Sequence, residues 1–243
     1  MSDSSPGEGE GEVSTSRSSV DEWMLGLSRS NGSPGGGAAS GVMLAIAAGL
    51  TSMVAGYTDA AADAPERASA AAQTTAPSSA DDRQRTLDAM IVRAHELRAA
   101  ALGLADADAA ASREFGSAFT LPRGPERDEA IRRGSVAAAR SSAGLGGRAV
   151  EAIDDLDWLT ANGNPALIAD VAVALAALRA AISGARTNVS FDLAELRSSS
   201  GSLEQVRLEH PALWSQVEVF DEALARIDAL TAGIDSRAAP TDR

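Results

Sequence analysis

The chain has 243 residues and a formal net charge of −13, and 44% of its residues are apolar but only 3% aromatic. This length holds one large domain or two small ones. The acidic balance argues against nucleic acid and anionic membranes as partners, because both carry negative charge themselves. No cysteine is present, so there is no disulfide framework or thiolate chemistry, which is consistent with a cytoplasmic protein. Abundant alanine and few β-branched residues favour helices over sheet.

The first 18 residues are rich in serine, glycine and glutamate and offer little to bury, so we expect a disordered tail over 1–18. A helical domain is predicted over 19–197, and its first element is a short amphipathic helix with Trp23 and Leu27 on one side. We interpret residues 59–80 as a flexible loop within that domain, because they lack an apolar period and contain two prolines. Residues 198–243 are predicted to form a C-terminal helical extension.

The stretch Ser33-Pro34-Gly35-Gly36-Gly37 precedes an uncharged run over 38–58. Proline fixes one backbone angle and the glycines carry no Cβ, so the chain can turn sharply here and expose its N–H groups. The helix that follows is apolar nearly all round, which predicts a position at the centre of a bundle. It is long enough to cross a bilayer, but alanine, glycine and serine dominate it and acidic residues precede it. We therefore interpret it as a buried helix of a soluble protein.

Small residues recur in that helix at four-residue spacing, as Gly37, Gly41, Ala45 and Gly49. Positions four apart lie on one side of a helix. The row therefore predicts that another backbone approaches closely there.

A long helix is predicted over about 81–119, where apolar residues recur every seven positions with one exception, Asp108. A carboxylate on the buried seam of a helix must be paired or used, because an unpaired buried charge is costly. One interpretation is a structural ion pair with Arg179 or Arg186. The other is an acid/base site, since buried carboxylates with raised pKa serve that chemistry.

The next helix is predicted from about Glu126, with a break or kink over 141–147, and a further helical stretch follows over 150–159. Asn164 is expected to cap another helix, over about 165–186, with Pro165 at its first position. Asp170 is the single charge between Gly163 and Leu178. Asp108 and Asp170 are thus each surrounded by apolar residues in a predicted helix. This pattern favours one polar site that the two carboxylates share.

The C-terminal region carries a capping box at Ser202 and Gln205, and a final helix follows Pro211. We expect that helix to pack outside the bundle or to serve an oligomer contact. The two histidines, His95 and His210, lie in different predicted helices without metal-ligand spacing, so no metal site is expected. The chain has no lysine, which removes a P-loop, and it has no GxSxG elbow.

Several sequence blocks occur together in a familiar order. They are Ser-Pro-Gly-Gly-Gly-Ala from Ser33, Asp106-Ala107-Asp108, Ala118-Phe119-Thr120-Leu121-Pro122, Gly163-Asn164-Pro165, Asp170-Val171 and Gly184-Ala185-Arg186-Thr187-Asn188-Val189. In this order and spacing the chain resembles the formimidoyltetrahydrofolate cyclodeaminase and methenyltetrahydrofolate cyclohydrolase family over about residues 20–195.

The resemblance implies an all-α, elongated antiparallel bundle that dimerises and holds folate near the glycine turn and the subunit contact. It implies no covalently bound cofactor, with a tetrahydrofolate derivative as the substrate. In the cyclodeaminase reaction N10 attacks the formimino carbon on N5, and ammonia leaves. In the cyclohydrolase reaction water opens the resulting 5,10-methenyl bridge. Both reactions move a proton from the incoming group and to a departing nitrogen.

The resemblance also implies roles for single residues. Asp108 would shuttle the proton, and Asp170 would stabilise the cationic carbon or accept from the pterin. A second set would bind substrate: Ser33, Gly35, Gly36 and Gly37 at the helix amino end, Arg123 at the glutamate tail, and Asn188 on the ligand or an aspartate.

The chain departs from the family pattern at several polar positions. A lysine- and tyrosine-containing segment is replaced by the 59–80 loop, and Asp192 stands where an asparagine is common. A folate-binding or structural helical dimer that has lost catalysis is therefore the alternative function. An unrelated helical interaction protein is the third.

Overall fold

The computed structural model describes residues 13–29, 34–58 and 80–238, and within them it is built from α-helices without a strand. The helices are α1 (Val20–Leu27), α2 (Gly36–Gly56), α3 (Ala80–Ala118), α4 (Pro125–Glu151), α5 (Ile153–Asn162), α6 (Ile168–Ser200), α7 (Leu203–Glu209) and α8 (Pro211–Ala238). A 3₁₀ turn, Pro165–Leu167, leads into α6. The prediction of an all-helical chain is confirmed.

Helices α2 and α3 run antiparallel along their length. The start of α2 meets the middle of α3, where Gly37 lies against Asp108. Further along, Ser52 shares a 2.9 Å hydrogen bond with His95, which precedes Asp108 in α3. The small-residue row explains the close approach, because a Cβ added to Gly41 would fall 3.0 Å from the backbone oxygen of Ala101.

Helix α6 also runs antiparallel to α2. Gly184 lies against Ser40 near the start of α2, and the side-chain amide of Asn164 donates to the carbonyl of Tyr57 at its end, over 3.1 Å. Helix α4 packs against both α3 and α6. The four helices α2, α3, α4 and α6 therefore form an up-and-down bundle.

Helix α2 is only partly enclosed. The small-residue row faces α3 at Gly37 and Gly41, as predicted, but a Cβ at Gly49 would meet open space. On another side Met43 and Ile46 are 39% and 44% exposed. The helix thus has one outward apolar face, and the expectation of burial all round is wrong for that face.

Helix α4 is continuous from Pro125 to Glu151, so a break over 141–147, one of the two predicted alternatives, is wrong. A Cβ at Gly146 would lie 2.3 Å from the ring of Phe220 in α8 and 2.8 Å from the Cβ of Ala185 in α6. The glycine lets three helices approach closely, and the neighbouring packing holds the helix together.

Helix α6 extends to Ser200, well past the predicted end near residue 186, so Asn188 lies within the helix and not beyond it. Gly201, in the left-handed region at φ 83°, ends it. Ser202 then caps α7 by accepting from the N–H of Gln205. Helix α8 packs outside the four-helix bundle, against α6 and α4, as expected for the C-terminal extension.

The segment 13–18 is folded against α3, so that part of the predicted disordered tail is wrong. The Thr15 N–H donates to Asp106 over 2.6 Å, and the indole N–H of Trp23 donates to the Thr15 hydroxyl over 3.1 Å. The rest of the predicted tail, 1–12, and nearly all of the predicted loop, 59–79, lie outside the described residues. Ala80 is the first residue of α3.

Two helical stretches in the described part of the chain, Gly36–Gly56 and Pro165–Arg197, are long and apolar enough to cross a membrane. Their most apolar 18-residue windows are 56% and 39% buried inside the fold. Length and composition alone do not separate a spanning helix from a core helix, and here both helices belong to the bundle.

Candidate functional site

The Asp108 side chain lies directly against the amino end of α2. It is 5% exposed, and a Cβ built on Gly37 would fall 2.2 to 2.4 Å from its carboxyl atoms. The carboxyl accepts the N–H of Ala38, one of the first N–H groups of α2 that have no partner within the helix. Burial raises the pKa of Asp108, while the hydrogen bond from Ala38 opposes the rise.

The interpretation of Asp108 as half of an arginine ion pair is wrong for both candidate partners. Arg179 pairs with Asp228 and Arg186 with Asp221, so both arginines join α6 to α8 on the outside of the bundle. The negative charge of Asp108 is therefore met by the amino end of a helix. The partial positive charge there favours an anion.

The inner side of α6 continues the site. Gly184 contacts Ser40, and Asn188 and Asp192 follow at successive four-residue steps, which keeps them on nearly the same side. With a rise of about 1.5 Å per residue, Asn188 lies about 6 Å beyond Gly184 along the bundle. Gly37 lies about 4.5 Å beyond Ser40 in the same direction. Asn188, Gly37 and Asp108 therefore share one level of the bundle.

Asp192 lies one turn further along, beyond the first residue of α2. Burial raises the pKa of Asp192 to about 7, and the nearby charge of Asp108 adds to the rise. From the sequence alone, Asp192 stands out only as a departure from the family pattern. Its spacing from Gly184 and Asn188 is a helical signal, which was missed because α6 was expected to end near residue 186.

Asp170 lies at the other end of the bundle, in the first turn of α6. It is 22 residues before Asp192, which is about 33 Å along a helix. It is also near the end of α2, since Asn164 just before it bonds to Tyr57. The expectation that Asp108 and Asp170 of one chain share a cleft is therefore wrong.

The other predicted ligand-binding residues that the structure describes lie toward the Asp108 end of the bundle. A Cβ on Gly35 or Gly36 would meet nothing within 4 Å, so space is open beside both. Arg123 is exposed on the turn after α3. Ser33 lies outside the described residues. Close by, Arg17 and Arg113 line a cavity of about 250 Å³ next to Asp106.

The described residues contain no group of three or more histidine, cysteine, aspartate or glutamate side chains able to hold a metal ion. What the site offers is a helix amino end, an amide side chain and two carboxyl groups of raised pKa. Such a set can bind a partly anionic or carbonyl-bearing ligand and move protons on it.

The fold and the site together define the class of protein: an up-and-down helical bundle with two carboxyl groups of raised pKa near the start of one of its helices. Residues 19–204 match the family model described as formiminotransferase-cyclodeaminase, and the chain belongs to this family. A crystal structure of formiminotetrahydrofolate cyclodeaminase from Thermotoga maritima is similar in fold, with a TM-score of 0.67 at 21% identity. The match covers 90% of this chain and 98% of that one. No curated protein sequence matches.

Proposed function

We propose that the chain is a folate-dependent one-carbon enzyme acting on C–N bonds of tetrahydrofolate derivatives. Its reaction is that of a 5-formiminotetrahydrofolate cyclodeaminase or a 5,10-methenyltetrahydrofolate cyclohydrolase. The observation that carries the proposal is Asp108, a buried carboxyl held by a helix amino end in a chain of this family. Neither Arg179 nor Arg186, the arginines expected to pair with it, does so.

In this proposal the ionised Asp108 removes a proton from the incoming group, which is N10 in the cyclodeaminase or water in the cyclohydrolase. Its raised pKa suits the task, because a base whose pKa approaches the working pH can both take and return a proton. The open space at Gly35 and Gly36 would admit the ligand, whose carbonyl or carboxylate oxygens would meet the first N–H groups of α2. Asn188, at the level of Asp108, would orient it.

The substrate's glutamate tail would extend toward the arginines at this end of the bundle. Arg123 is the residue proposed from the sequence, and Arg17 and Arg113 line the adjacent cavity. Guanidinium groups bind carboxylates through paired hydrogen bonds. The tetrahydrofolate derivative is the substrate, and the proposal includes no covalently bound cofactor.

We also propose a cytoplasmic homodimer. Support comes from an outward strip of α6 that carries no charge and exposes Val173 (56%) and Phe191 (74%). Its small members Ala169, Ala176 and Ala180 are also exposed. Small residues at helical spacing let a second helix approach closely, which suits a second copy of the chain.

The alternative is a folate-binding or structural helical dimer that has lost catalysis. One observation favours it: Asp108 satisfies an N–H of the first turn of α2, which is a structural task in itself.

Purified protein mixed with methenyltetrahydrofolate or formiminotetrahydrofolate tests the choice. Under the proposal, the methenyl absorbance decays faster than in the uncatalysed reaction when methenyltetrahydrofolate is the substrate, or appears faster when formiminotetrahydrofolate is the substrate. The Asp108→Asn variant should lose this acceleration. Asp235→Asn, an exposed change of the same chemistry in α8, should retain it. Folate binding without turnover would support the alternative, a folate-binding dimer without catalysis. If the protein neither binds folate nor turns it over, both the enzymatic and the folate-binding function are contradicted.

A further inference from the structure

Asp192 lies at the end of the bundle, beyond the first residue of α2. Counted from the contact between Gly184 and Ser40, Asp192 is about 12 Å along α6, whereas the first residue of α2 is only about 6 Å along from Ser40. Its side of α6 is the inner side, which also carries Asn188. The carboxyl is thus half-buried at the mouth of the bundle, next to the amino end that holds Asp108.

The described charges around Asp192 leave Asp108 as its dominant neighbour. Helix α2 contains no charged residue, and the buried residues of α4 are neutral, Ser135 and Ser142 among them. On the α8 side, Asp221 is already paired with Arg186. The carboxyl of Asp192 therefore faces the charge of Asp108 without a cation among the described residues to offset it.

The two carboxyl groups differ in what holds them. Asp108 accepts the N–H of Ala38 at a helix amino end, which stabilises its ionised form. No such donor from the described part of the chain acts on the pKa of Asp192, and burial and the Asp108 charge both favour its protonated form. A proton held by the pair therefore favours Asp192 over Asp108.

We propose that Asp192 is the general acid of this site and Asp108 its general base, the two forming a carboxyl–carboxylate pair that divides the two proton transfers. This inference rests on the proposed function and deepens it. It assigns to Asp192 the donation that the sequence analysis gave to Asp108.

In the cyclohydrolase direction, the Asp108 carboxylate takes a proton from water as the water oxygen bonds to the methenyl carbon. A C–N bond then breaks, its electron pair stays on nitrogen, and that nitrogen receives the Asp192 proton, while the remaining hydroxyl proton leaves to solvent as the formyl C=O forms. Return of the proton from Asp108 to Asp192 restores the pair. In the cyclodeaminase direction, N10 bonds to the protonated formimino carbon as Asp108 takes the N10 proton, and the C–N bond to the amino group breaks as Asp192 protonates that nitrogen, which leaves as ammonia.

The first test needs no folate. Protein labelled with ¹³C at the aspartate carboxyl carbons is titrated by NMR, with Asp108→Asn and Asp192→Asn used for assignment. We expect Asp192 to titrate near pH 7 in the wild type and at lower pH in Asp108→Asn, because the repelling charge is gone. A midpoint near pH 4 in the wild type, or one unmoved by Asp108→Asn, would overturn the pair.

The second test follows turnover of methenyltetrahydrofolate against pH. We expect Asp192→Asn to lower kcat about 10²-fold with little change in KM, and to remove the loss of activity above pH 7. Asp235→Asn is the matched control. Normal turnover with an unchanged pH profile in Asp192→Asn would refute the acid role. A coupled pair by NMR in a wild type without turnover would refute the proposed function and leave the pair standing.

Discussion

The contact between Gly37 and Asp108 can be tested by adding one methyl group. In Gly37→Ala the new Cβ would lie 2.2 to 2.4 Å from the three carboxyl atoms of Asp108, and an ordinary contact is about 3.5 to 4 Å. The carboxyl must therefore move by more than about 1 Å. This movement breaks its hydrogen bond with the Ala38 N–H and leaves two buried polar groups unsatisfied.

The expected cost combines about 1–3 kcal/mol of overpacking with about 1–3 kcal/mol for the lost hydrogen bond. Alanine regains about 0.5–1 kcal/mol through its helix propensity. We therefore expect Gly37→Ala to be destabilised by about 1–5 kcal/mol. At about 2–4 °C per kcal/mol for a chain of this size, Tm should fall by roughly 2–20 °C.

Thermal unfolding followed by circular dichroism measures the effect, and Gly49→Ala is the matched control. It lies in the same helix and the same small-residue row, but its Cβ would meet nothing within 4 Å, so its Tm should stay level or rise slightly. The two variants carry the same chemical change. Equal Tm values for them would refute the packing of Asp108 against α2.

Three further predictions concern other parts of the molecule. Asp106→Ala removes the acceptor of Thr15, so amide exchange over 13–18 should accelerate while that of α3 does not; unchanged exchange would contradict the anchoring. The pKa of Asp192, about 7, is above the unfolded value of about 3.9, so the stability it contributes is present below pH 4 and is lost as the pH rises to 7. Unfolding should therefore show the wild type losing stability relative to Asp192→Asn over that range, and a constant difference would argue against the raised pKa. Val173→Asp places a charge on the outward strip of α6 and should convert a dimer to monomer in light scattering, whereas the exposed Glu218→Gln should not; an unchanged mass for Val173→Asp would remove the strip from the subunit contact.

The burial of Asp108 could be predicted from sequence because a helix has a fixed period. Apolar residues of α3 recur every seven positions and face the core, and Asp108 occupies one position in that row. Its side chain must therefore face the same core as the apolar residues before and after it. What it meets there depends on which residues of α2 lie at its level, and that is set by packing between helices. The partner could therefore not be read from the spacing, and the predicted arginines proved to be on the other side of α6.

The misplacement of Asp170 has a similar cause. Its isolation among apolar residues is a property of the linear sequence, and it does not say which end of the bundle the residue occupies. In a bundle of antiparallel helices, that end depends on the direction of each helix. Asp192 was missed for a different reason: the end of a helix is hard to predict when alanine and serine continue past it, and ending α6 early removed the residue from the inner side.

Asp108 accepts a hydrogen bond from the Ala38 N–H and so helps to start α2. A group that helps to start a central helix is under selection for folding as well as for turnover. An aspartate kept at this position in another member therefore does not report that the member still turns over substrate. The residue matching Asp192 caps no helix, so an aspartate at that position, where asparagine is common, is the more informative sign that a member shares this two-carboxyl chemistry.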